Sequence, residues 1–373
     1  GKVMRASNVL GIIYSNVYDE YLSELTGVRT MGSVPFAGRY RLIDFVLSGM
    51  VNCGITKVGV STKSNYQSLM DHLGSGKAWD LSRKRDGLTL LPPFSLGENG
   101  GVYSHRFEAL RGMMNYISQS GKEYVLFCDC NVVCNLDYEQ FISSHIDSGA
   151  DITIGYKRGV KPAISNIMTF DLEGSRITRA SVGEMGDEAK NYSLNIIIMK
   201  RVLLERIMNS AAAMGHTRFE RDIIGKNVSG LDIRGYKIEE FAEMIDSLQS
   251  YYDISMSLLA GKRKELFKSG RTIYTKVRDD VPAIYGVCSK ASNSLIADGC
   301  VIKGTVENCI LFRGVYIAED AVVKNSVIMQ DSYISSGSRI NCAILDKNVV
   351  VKPNREISGA ETYPVYIGKN ITI

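Results

Sequence analysis

The sequence predicts an α/β domain built on a mostly parallel sheet, followed by a parallel β-helix with triangular coils. Short apolar runs alternate with helical patterns over the first two-thirds of the chain, and a six-residue aliphatic period replaces them near residue 291. At 373 residues the chain is long enough for two domains. We expect the first domain at residues 1–280 and the second at residues 281–373.

The first region carries the alternation expected of strands and covering helices. Apolar runs predict strands at residues 9–14, 57–61, 124–128 and 151–156. Recurring apolar positions predict helices at 41–53 and 106–119. In sheets of this kind, ligands bind in the crevice beyond the carboxyl ends of the strands. The residues that follow Tyr14 and Cys128 are therefore the place to search for a binding or catalytic site.

Aliphatic residues recur about every six positions in the second region, with Gly, Asp, Asn and Ser between them. The residues with this spacing are Val322, Ile328, Ile334 and Ile340, the pair Leu295 and Val301, and the pair Ile344 and Val350. A hexad period differs from those of helices and simple strands, and it indicates a parallel β-helix. An antiparallel sandwich of short strands is the alternative. Pro282 and the Gly286 turn mark the boundary between the regions.

Composition narrows the possible classes of function. Hydrophobic residues make up 45% and charged residues 23%, which is typical of a globular protein. The net charge of +4 is small and does not indicate a nucleic-acid-binding surface. Anionic metabolites are still candidate ligands. With no apolar run of about 18 residues we expect no membrane span and a cytoplasmic location. We interpret Cys128, Cys130 and Cys134 as reduced core residues, because no His lies near them at a metal-ligand spacing.

Several segments of the chain closely resemble the ADP-glucose pyrophosphorylase (glucose-1-phosphate adenylyltransferase) family. They are VPFAGRYRLIDF at 34–45, LS at 47–48, VNCGI at 51–55, EYVL at 123–126, NLDY at 135–138, SYY at 250–252 and LFRGV at 311–315. The resemblance covers nearly the whole chain and implies a Rossmann-like nucleotidyltransferase (GT-A-like) domain followed by a left-handed parallel β-helix. Active members of this family join glucose 1-phosphate and ATP to give ADP-glucose and pyrophosphate.

The elements that bind phosphate in active members are altered in this chain. The family's glycine-rich GGxGxRL loop corresponds to NVYDEYL at 16–22, so its arginine has become Tyr21. The lysine of the family's RAKP element has become Met31, and the lysine of its EKP element corresponds to Met185. The GTAD element aligns with HRFE at 105–108. Because glycine amides and cations hold the triphosphate, we do not expect this chain to bind ATP in the family's manner.

Both metal-binding aspartates of active members are also replaced. Counting back from Asp137 in the family's SGDHxYxMDY pattern places Asn131 at the first aspartate, and a neutral amide holds Mg²⁺ weakly. A gapped alignment would place Asp129 there instead. The second aspartate, in a GYWxDxG pattern, corresponds to Met244, which is a poor ligand for Mg²⁺. We therefore expect no metal site in this chain.

Together these losses resemble the GlgD-type, non-catalytic subunit of the family. The resemblance implies a regulatory role in bacterial glycogen biosynthesis, exerted on a catalytic, GlgC-type partner in a heterotetramer. A homo-oligomer of this chain remains possible. Mg²⁺ would be required by the partner, and we expect no cofactor on this chain. Two alternatives stay open, namely an active adenylyltransferase that uses Asp129 and a free-standing sugar-phosphate sensor.

The resemblance also implies an effector site between the two domains. In active bacterial members, cations at the positions of Arg29 and Arg41 contribute to this site, and Arg39 lies between them. In the second domain Lys347 best resembles an effector lysine, and a solvated basic edge is the alternative interpretation. The planar fork of arginine suits phosphate groups. We expect a sugar phosphate, phosphate or sulfate as the ligand.

Overall fold

A computed structural model describes residues 5–91, 105–183, 186–216 and 218–373. A nine-stranded sheet forms the centre of the first domain. Its strands are β1 (Val9–Tyr14), β2 (Lys57–Ser61), β3 (Gly87–Leu91), β4 (Tyr124–Asp129), β5 (Ile152–Val160), β6 (Met168–Glu173), β7 (Arg176–Val182), β8 (Ala189–Lys200) and β9 (Ile233–Lys237). Their order across the sheet is β3, β2, β1, β4, β8, β5, β9, β7, β6.

The sheet is mixed rather than mostly parallel. Strand β1 runs parallel to β2 and β4, as expected. Strand β8 runs antiparallel to both β4 and β5, and β7 runs antiparallel to β6 and β9. The expectation of a mostly parallel sheet is therefore wrong for the second half. Apolar runs do not reveal direction, because a strand buried on both faces gives the same run either way.

The first domain also contains helices of seven or more residues. They are α1 (Leu42–Asn52), α2 (Gln67–Leu73), α3 (His105–Ser118), α4 (Tyr138–Ser148), α5 (Arg201–Ala213) and α6 (Leu248–Ser257). The first turn of α1 is fixed by a capping contact, because the Arg41 N–H donates to Asp44 Oδ2 at 2.8 Å. Nearly all of α1 is buried, so the arginines just before it are held on a rigid element. Among the described helices, none has the length and apolar character that crossing a membrane requires.

The second domain consists of three parallel sheets of five short strands each, which is the architecture of the predicted left-handed β-helix. The first sheet contains Ile284–Tyr285, Val301–Ile302, Tyr316–Ile317, Tyr333–Ile334 and Val350–Val351. The second contains Lys290–Ser292, Thr305–Glu307, Val322–Lys324, Arg339–Asn341 and Glu356–Ser358. The third contains Leu295–Ile296, Ile310–Leu311, Val327–Ile328, Ala343–Leu345 and Val365–Ile367. The fold class is confirmed, and the antiparallel sandwich is wrong.

The hexad period holds, but its phase slips within the coils. Residues that face the β-helix interior are at most 1% exposed, namely Ile317, Val323, Ile328, Ile334, Ile340, Leu345 and Val351. The inward-facing residues are therefore Val323 and Val351, not the Val322 and Val350 that the six-residue spacing picked out. Ile344 faces the other way and joins the core of the first domain, together with Ile310 and Phe312. One face of the β-helix is thus packed on the nucleotidyltransferase-like domain.

Candidate functional site

A buried network of charged side chains fills the crevice beyond the carboxyl ends of β1 and β4. Arg106 of α3 donates through both terminal nitrogens to the two oxygens of Asp129, at 2.8 and 2.7 Å. Its Nε donates to Glu220 Oε1 at 3.0 Å. Arg106, Asp129 and Glu220 are 4%, 2% and 5% exposed. Two-point contacts between guanidinium and carboxylate are among the strong hydrogen bonds of proteins, so this network closes the crevice from within.

Two tyrosines cover the Arg106 guanidinium. The guanidinium carbon lies 4.7 Å from the ring centroid of Tyr14 and 5.7 Å from that of Tyr18. The Tyr18 hydroxyl accepts from Arg106 at 3.3 Å and from Asn195 Nδ2 at 2.9 Å. Burial raises the pKa of both phenols above their ordinary value, so both remain neutral. Tyr18 belongs to the segment that the resemblance aligns with the family's phosphate-binding loop, and its ring lies against Arg106.

The charged groups of the network shift one another's pKa values. Burial opposes the positive charge of Arg106, but Asp129, Tyr18 and Glu220 outweigh it and raise the pKa of the guanidinium. Burial raises the pKa of the Glu220 carboxyl, and Arg106 partly offsets that effect. In nucleotidyl transfer the positive charge comes from metal ions and substrate-facing cations. In this chain the Arg106 guanidinium places a positive charge beside Asp129 and Glu220.

The residues predicted to replace phosphate ligands bind other parts of the chain. The Tyr21 hydroxyl accepts from the Ser165 N–H at 3.3 Å. Met31 is buried, and its N–H donates to Asp19 Oδ1 at 2.9 Å. Burial raises the pKa of the Asp19 carboxyl to about 7. The loop is therefore held to Ser165 through Tyr21 and to Met31 through Asp19. Met185 lies outside the described residues.

The two residues predicted to replace metal ligands, Asn131 and Met244, are buried next to each other in the fold. Asn131 is 1% exposed and donates to the Ile245 carbonyl at 3.2 Å, while its own Oδ1 has no partner among the described residues. Met244 ends the strand Ala242–Met244, which pairs with Val132–Cys134. Within the described ranges, no group of three or more His, Cys, Asp and Glu side chains is placed to hold a metal. Neither position offers a carboxylate.

The cysteines of this region are buried thiols. Cys128, Cys130 and Cys134 are at most 3% exposed and form no disulfide. The Cys128 thiol lies 3.7 Å from the Tyr138 hydroxyl. Burial raises the pKa of the Cys134 thiol to about 12, so it stays protonated and unreactive. These residues contribute to packing beneath the crevice.

Sequence reasoning missed the residue at the centre of the network. Arg106 stands in HRFE, where the family has GTAD, so an arginine replaces a short neutral residue at the edge of the nucleotide site. That replacement is the one signal available in the sequence. Glu220 lies 114 residues away from Arg106, with nothing nearby in the chain to mark it.

A second buried ion pair lies at the junction of the two domains. Arg29 donates to Asp346 Oδ1 at 2.7 Å and to Oδ2 at 3.0 Å, and also to the Leu25 carbonyl at 2.9 Å. Asp346 accepts further bonds from the Tyr366 hydroxyl at 2.8 Å and the Lys347 N–H at 2.7 Å. Burial opposes the charge of Asp346, but the Arg29 contact outweighs it and lowers the pKa of the carboxyl. The pair joins the first domain to the β-helix.

Four more cations surround this pair, and we call them the junction cations: Arg41, Arg278, Lys347 and Lys369. Within the described part of the chain, none of the four lies within 4.0 Å of a carboxylate oxygen. Arg41 is 6% exposed, and burial, followed by repulsion from a neighbouring arginine, lowers its pKa to about 10. Burial, followed by repulsion from neighbouring arginines, lowers the pKa of Lys347 to about 6. The junction therefore carries an excess of positive charge.

Arg39 lies apart from the junction cations. Positive φ angles at Ala37 and Gly38, 56° and 87°, form a tight turn just before it. Its guanidinium carbon lies 5.7 Å from the Tyr40 ring centroid, and it lines a cavity of about 590 Å³ together with Arg263 and Arg313. The four predicted effector residues are thus in three situations. Among the described residues, Arg41 and Lys347 have no carboxylate oxygen within 4.0 Å. Arg29 is paired with Asp346, and Arg39 lines the cavity beside Arg263 and Arg313.

Comparisons with known proteins cover both domains. Residues 20–179 match the nucleotidyl transferase family, and residues 281–362 match the GlmU-like C-terminal hexapeptide family. The chain is 34% identical over 366 residues to glycogen biosynthesis protein GlgD of Bacillus subtilis (strain 168), which covers 98% of this chain and 97% of that protein.

Two further relatives extend the comparison. The chain is 37% identical over 318 residues to glycogen biosynthesis protein GlgD of Geobacillus stearothermophilus, covering 85% of this chain and 83% of that protein. It is 30% identical over 363 residues to a glucose-1-phosphate adenylyltransferase of Fervidobacterium nodosum. That match covers 94% of this chain and 85% of that protein. The chain therefore belongs to the ADP-glucose pyrophosphorylase (glucose-1-phosphate adenylyltransferase) family and, within it, to the GlgD type, as the resemblance predicted.

Proposed function

We propose that this chain is a non-catalytic, regulatory subunit of ADP-glucose pyrophosphorylase that acts in bacterial glycogen biosynthesis, in the cytoplasm, on a catalytic GlgC-type partner. The observation that carries the proposal is the occupied crevice. Arg106, Asp129 and Glu220 bind one another at 2.7 to 3.0 Å where a transferase needs metal and phosphate. Transfer requires the reacting groups to be held in line beside a metal, and this chain fills that space with its own side chains.

Reconstitution with a catalytic subunit tests this proposal. We expect the two chains to elute together and ADP-glucose formation at fixed Mg²⁺ to change when this chain is added, either in kcat or in the response to sugar phosphates. The rate of the catalytic subunit alone is the reference. A second control doubles the concentration of the catalytic subunit in place of adding this chain, so that the total protein is the same. Separate elution together with an unchanged rate across candidate sugar phosphates would contradict the proposal.

We further propose that the junction cations bind the anionic effector, a sugar phosphate, phosphate or sulfate. Lys347→Met should shift the effector response of the mixed enzyme to about tenfold higher concentration, since one charge-assisted contact is lost. Lys352→Met is the matched control, because Lys352 is an exposed lysine of the same β-helix that lies outside the cluster. Effector titration of the reconstituted activity measures both variants. Equal curves for Lys347→Met and Lys352→Met would remove Lys347 from the site.

The first coil of the β-helix offers a surface for another subunit. Tyr285 occupies an inward-facing position but is 53% exposed, and its neighbours Val281, Ile284 and Val287 are 65%, 57% and 104% exposed. A terminal coil with an open apolar side needs a cap or a partner. We propose that this end contacts the catalytic subunit in a heterotetramer or, when the chain is alone, a second copy.

The alternative functions fit the geometry less well. An adenylyltransferase that uses Asp129 would have to free a carboxylate whose two oxygens both bind Arg106. A free-standing sugar-phosphate sensor is the second candidate. A pocket of about 250 Å³ beside Glu220, lined in part by Asn166, Arg218 and Arg221, favours it. Co-purification with a catalytic subunit discriminates, because a free-standing sensor would elute alone.

A further inference from the structure

Asp346 is the carboxylate at the junction, and its acceptor positions are already in use. It is fully buried and receives two bonds from Arg29, one from the Tyr366 hydroxyl and one from the Lys347 N–H. An ionised carboxylate offers about four acceptor positions. The Lys347 ammonium group therefore finds no counter-ion in Asp346. Its positive charge therefore lies beside a carboxylate that is already bound to Arg29.

The groups that face Lys347 come from every element packed around it. Arg29 and Arg41 approach from the first domain, Arg278 from the segment before the β-helix, and Lys369 from the C-terminal segment. Burial, followed by repulsion from Arg41 and Arg29, lowers the pKa of Lys347 to about 6. Asp346 stays ionised beside Arg29, and burial raises the pKa of the Tyr366 phenol so that it stays neutral. Near neutral pH, Lys347 is therefore mainly a neutral amine.

We propose that the junction takes up its anion together with a proton, and that Lys347 accepts the proton. The inference rests on the proposed anion site and adds how that site is regulated. An anion beside Lys347 replaces repulsion by attraction and favours the ammonium form. The balance is simple: the amine nitrogen gains one proton from the solvent for each anion bound, and no other bond changes. Effector binding thereby becomes sensitive to pH.

The direction of the pH effect follows from this balance. The complex holds one proton more than the free protein, so the affinity for the anion rises as the pH falls toward about 6. Below about pH 6 Lys347 is already charged in the free protein, and the pH effect levels off. The slope can reach about a tenfold change in Kd per pH unit. A site made of arginines alone would show no such slope.

Titration calorimetry with sulfate tests the proposal, because the charge of sulfate does not change in this pH range. Titrations of the full chain at about pH 6, 7 and 8, in buffers of different ionisation enthalpy, give Kd and the number of protons taken up. We expect Kd to rise by about tenfold between pH 7 and 8, with close to one proton taken up per sulfate. Lys347→Arg is the matched variant, since arginine keeps the charge but does not titrate. It should bind sulfate with no pH dependence and no proton uptake.

Each other outcome counts against a specific claim. Sulfate binding with equal Kd at all three pH values and no proton uptake overturns the inference but leaves the anion site standing. Proton uptake that persists in Lys347→Arg also overturns it and points to another group, such as Asp19 in the crevice loop, whose pKa is raised by burial to about 7. Absence of sulfate binding at every pH overturns both the inference and the proposed anion site.

Discussion

Replacing Arg106 with methionine is expected to lower the free energy of unfolding of the first domain by about 3 to 5 kcal/mol. Methionine keeps the aliphatic part of the side chain but leaves Asp129 and Glu220 buried without a counter-charge, at 2% and 5% exposure. Urea unfolding followed by the fluorescence of Trp79, the one tryptophan of the chain, reports on this domain. Arg111→Met is the matched control, because Arg111 is exposed on the same helix.

Neutralising the two acids should reverse most of this loss. The triple variant Arg106→Met, Asp129→Asn, Glu220→Gln removes the buried charges together with their counter-charge, so its stability should lie much closer to that of the wild type. Coupling of this size between distant chain segments is expected only if the three side chains act as one network. If Arg106→Met unfolded like Arg111→Met, the network would not be what holds the crevice closed.

The second large effect is expected at the domain junction. Asp346→Asn leaves Arg29 buried beside the junction cations with no counter-ion, and it should destabilise the chain by about 3 to 5 kcal/mol. Arg29→Met should cost less, because the carboxylate left behind still lies near Arg41 and accepts from the Tyr366 hydroxyl. Thermal unfolding measures both variants. Asp331→Asn is the control, since Asp331 sits in an exposed β-helix turn at φ 61°, a conformation that asparagine adopts as readily.

Sulfate gives this prediction a second readout. An anion that binds the folded junction raises the melting temperature, and the rise should be larger in Asp346→Asn than in the wild type, because sulfate replaces the missing negative charge. Asp331→Asn should respond like the wild type. Equal melting temperatures of Asp346→Asn and Asp331→Asn without sulfate would contradict the importance of the ion pair at the junction.

The fold was predictable wherever a local period records it. The β-helix is visible in the hexad spacing, because each coil repeats the same inward-facing positions. Two features of the fold could not be predicted from the periodicity of the sequence. The direction of the strands in the second half of the sheet leaves no trace in their apolar runs. The slip from Val322 to Val323 arises because neighbouring turns of the coil differ in length, which a fixed period cannot represent.

The contacts that fill the crevice could not be predicted from the sequence. Motif comparison predicts that Tyr21, Met31, Asn131 and Met244 replace phosphate and metal ligands, because each stands within a recognisable local pattern. The network that fills the crevice joins Arg106 to a carboxylate 23 residues away and to another 114 residues away. The pair at the junction joins residues 317 positions apart. Such contacts depend on the folded chain, and no local pattern records them.

The same limit explains the division of the predicted effector residues. Arg39 and Arg41 lie two positions apart, a spacing that places side chains on one face of a strand. Arg41 instead ends a two-residue strand and caps α1, while Arg39 follows a tight turn with positive φ angles. The two guanidinium groups therefore reach different places. The resemblance implied four effector residues, but their positions in the sequence did not indicate which of them lie close together.

The turnover of the purified chain by itself is the most direct test of the claim that its active site is filled and inactive. ATP, glucose 1-phosphate and Mg²⁺ are supplied, and ADP-glucose is measured at protein concentrations at which a catalytic subunit of the family is readily assayed. We predict no product above the reaction without protein, for the wild type and for Asp129→Asn alike. Turnover comparable to that of a catalytic subunit, abolished by Asp129→Asn, would contradict the account.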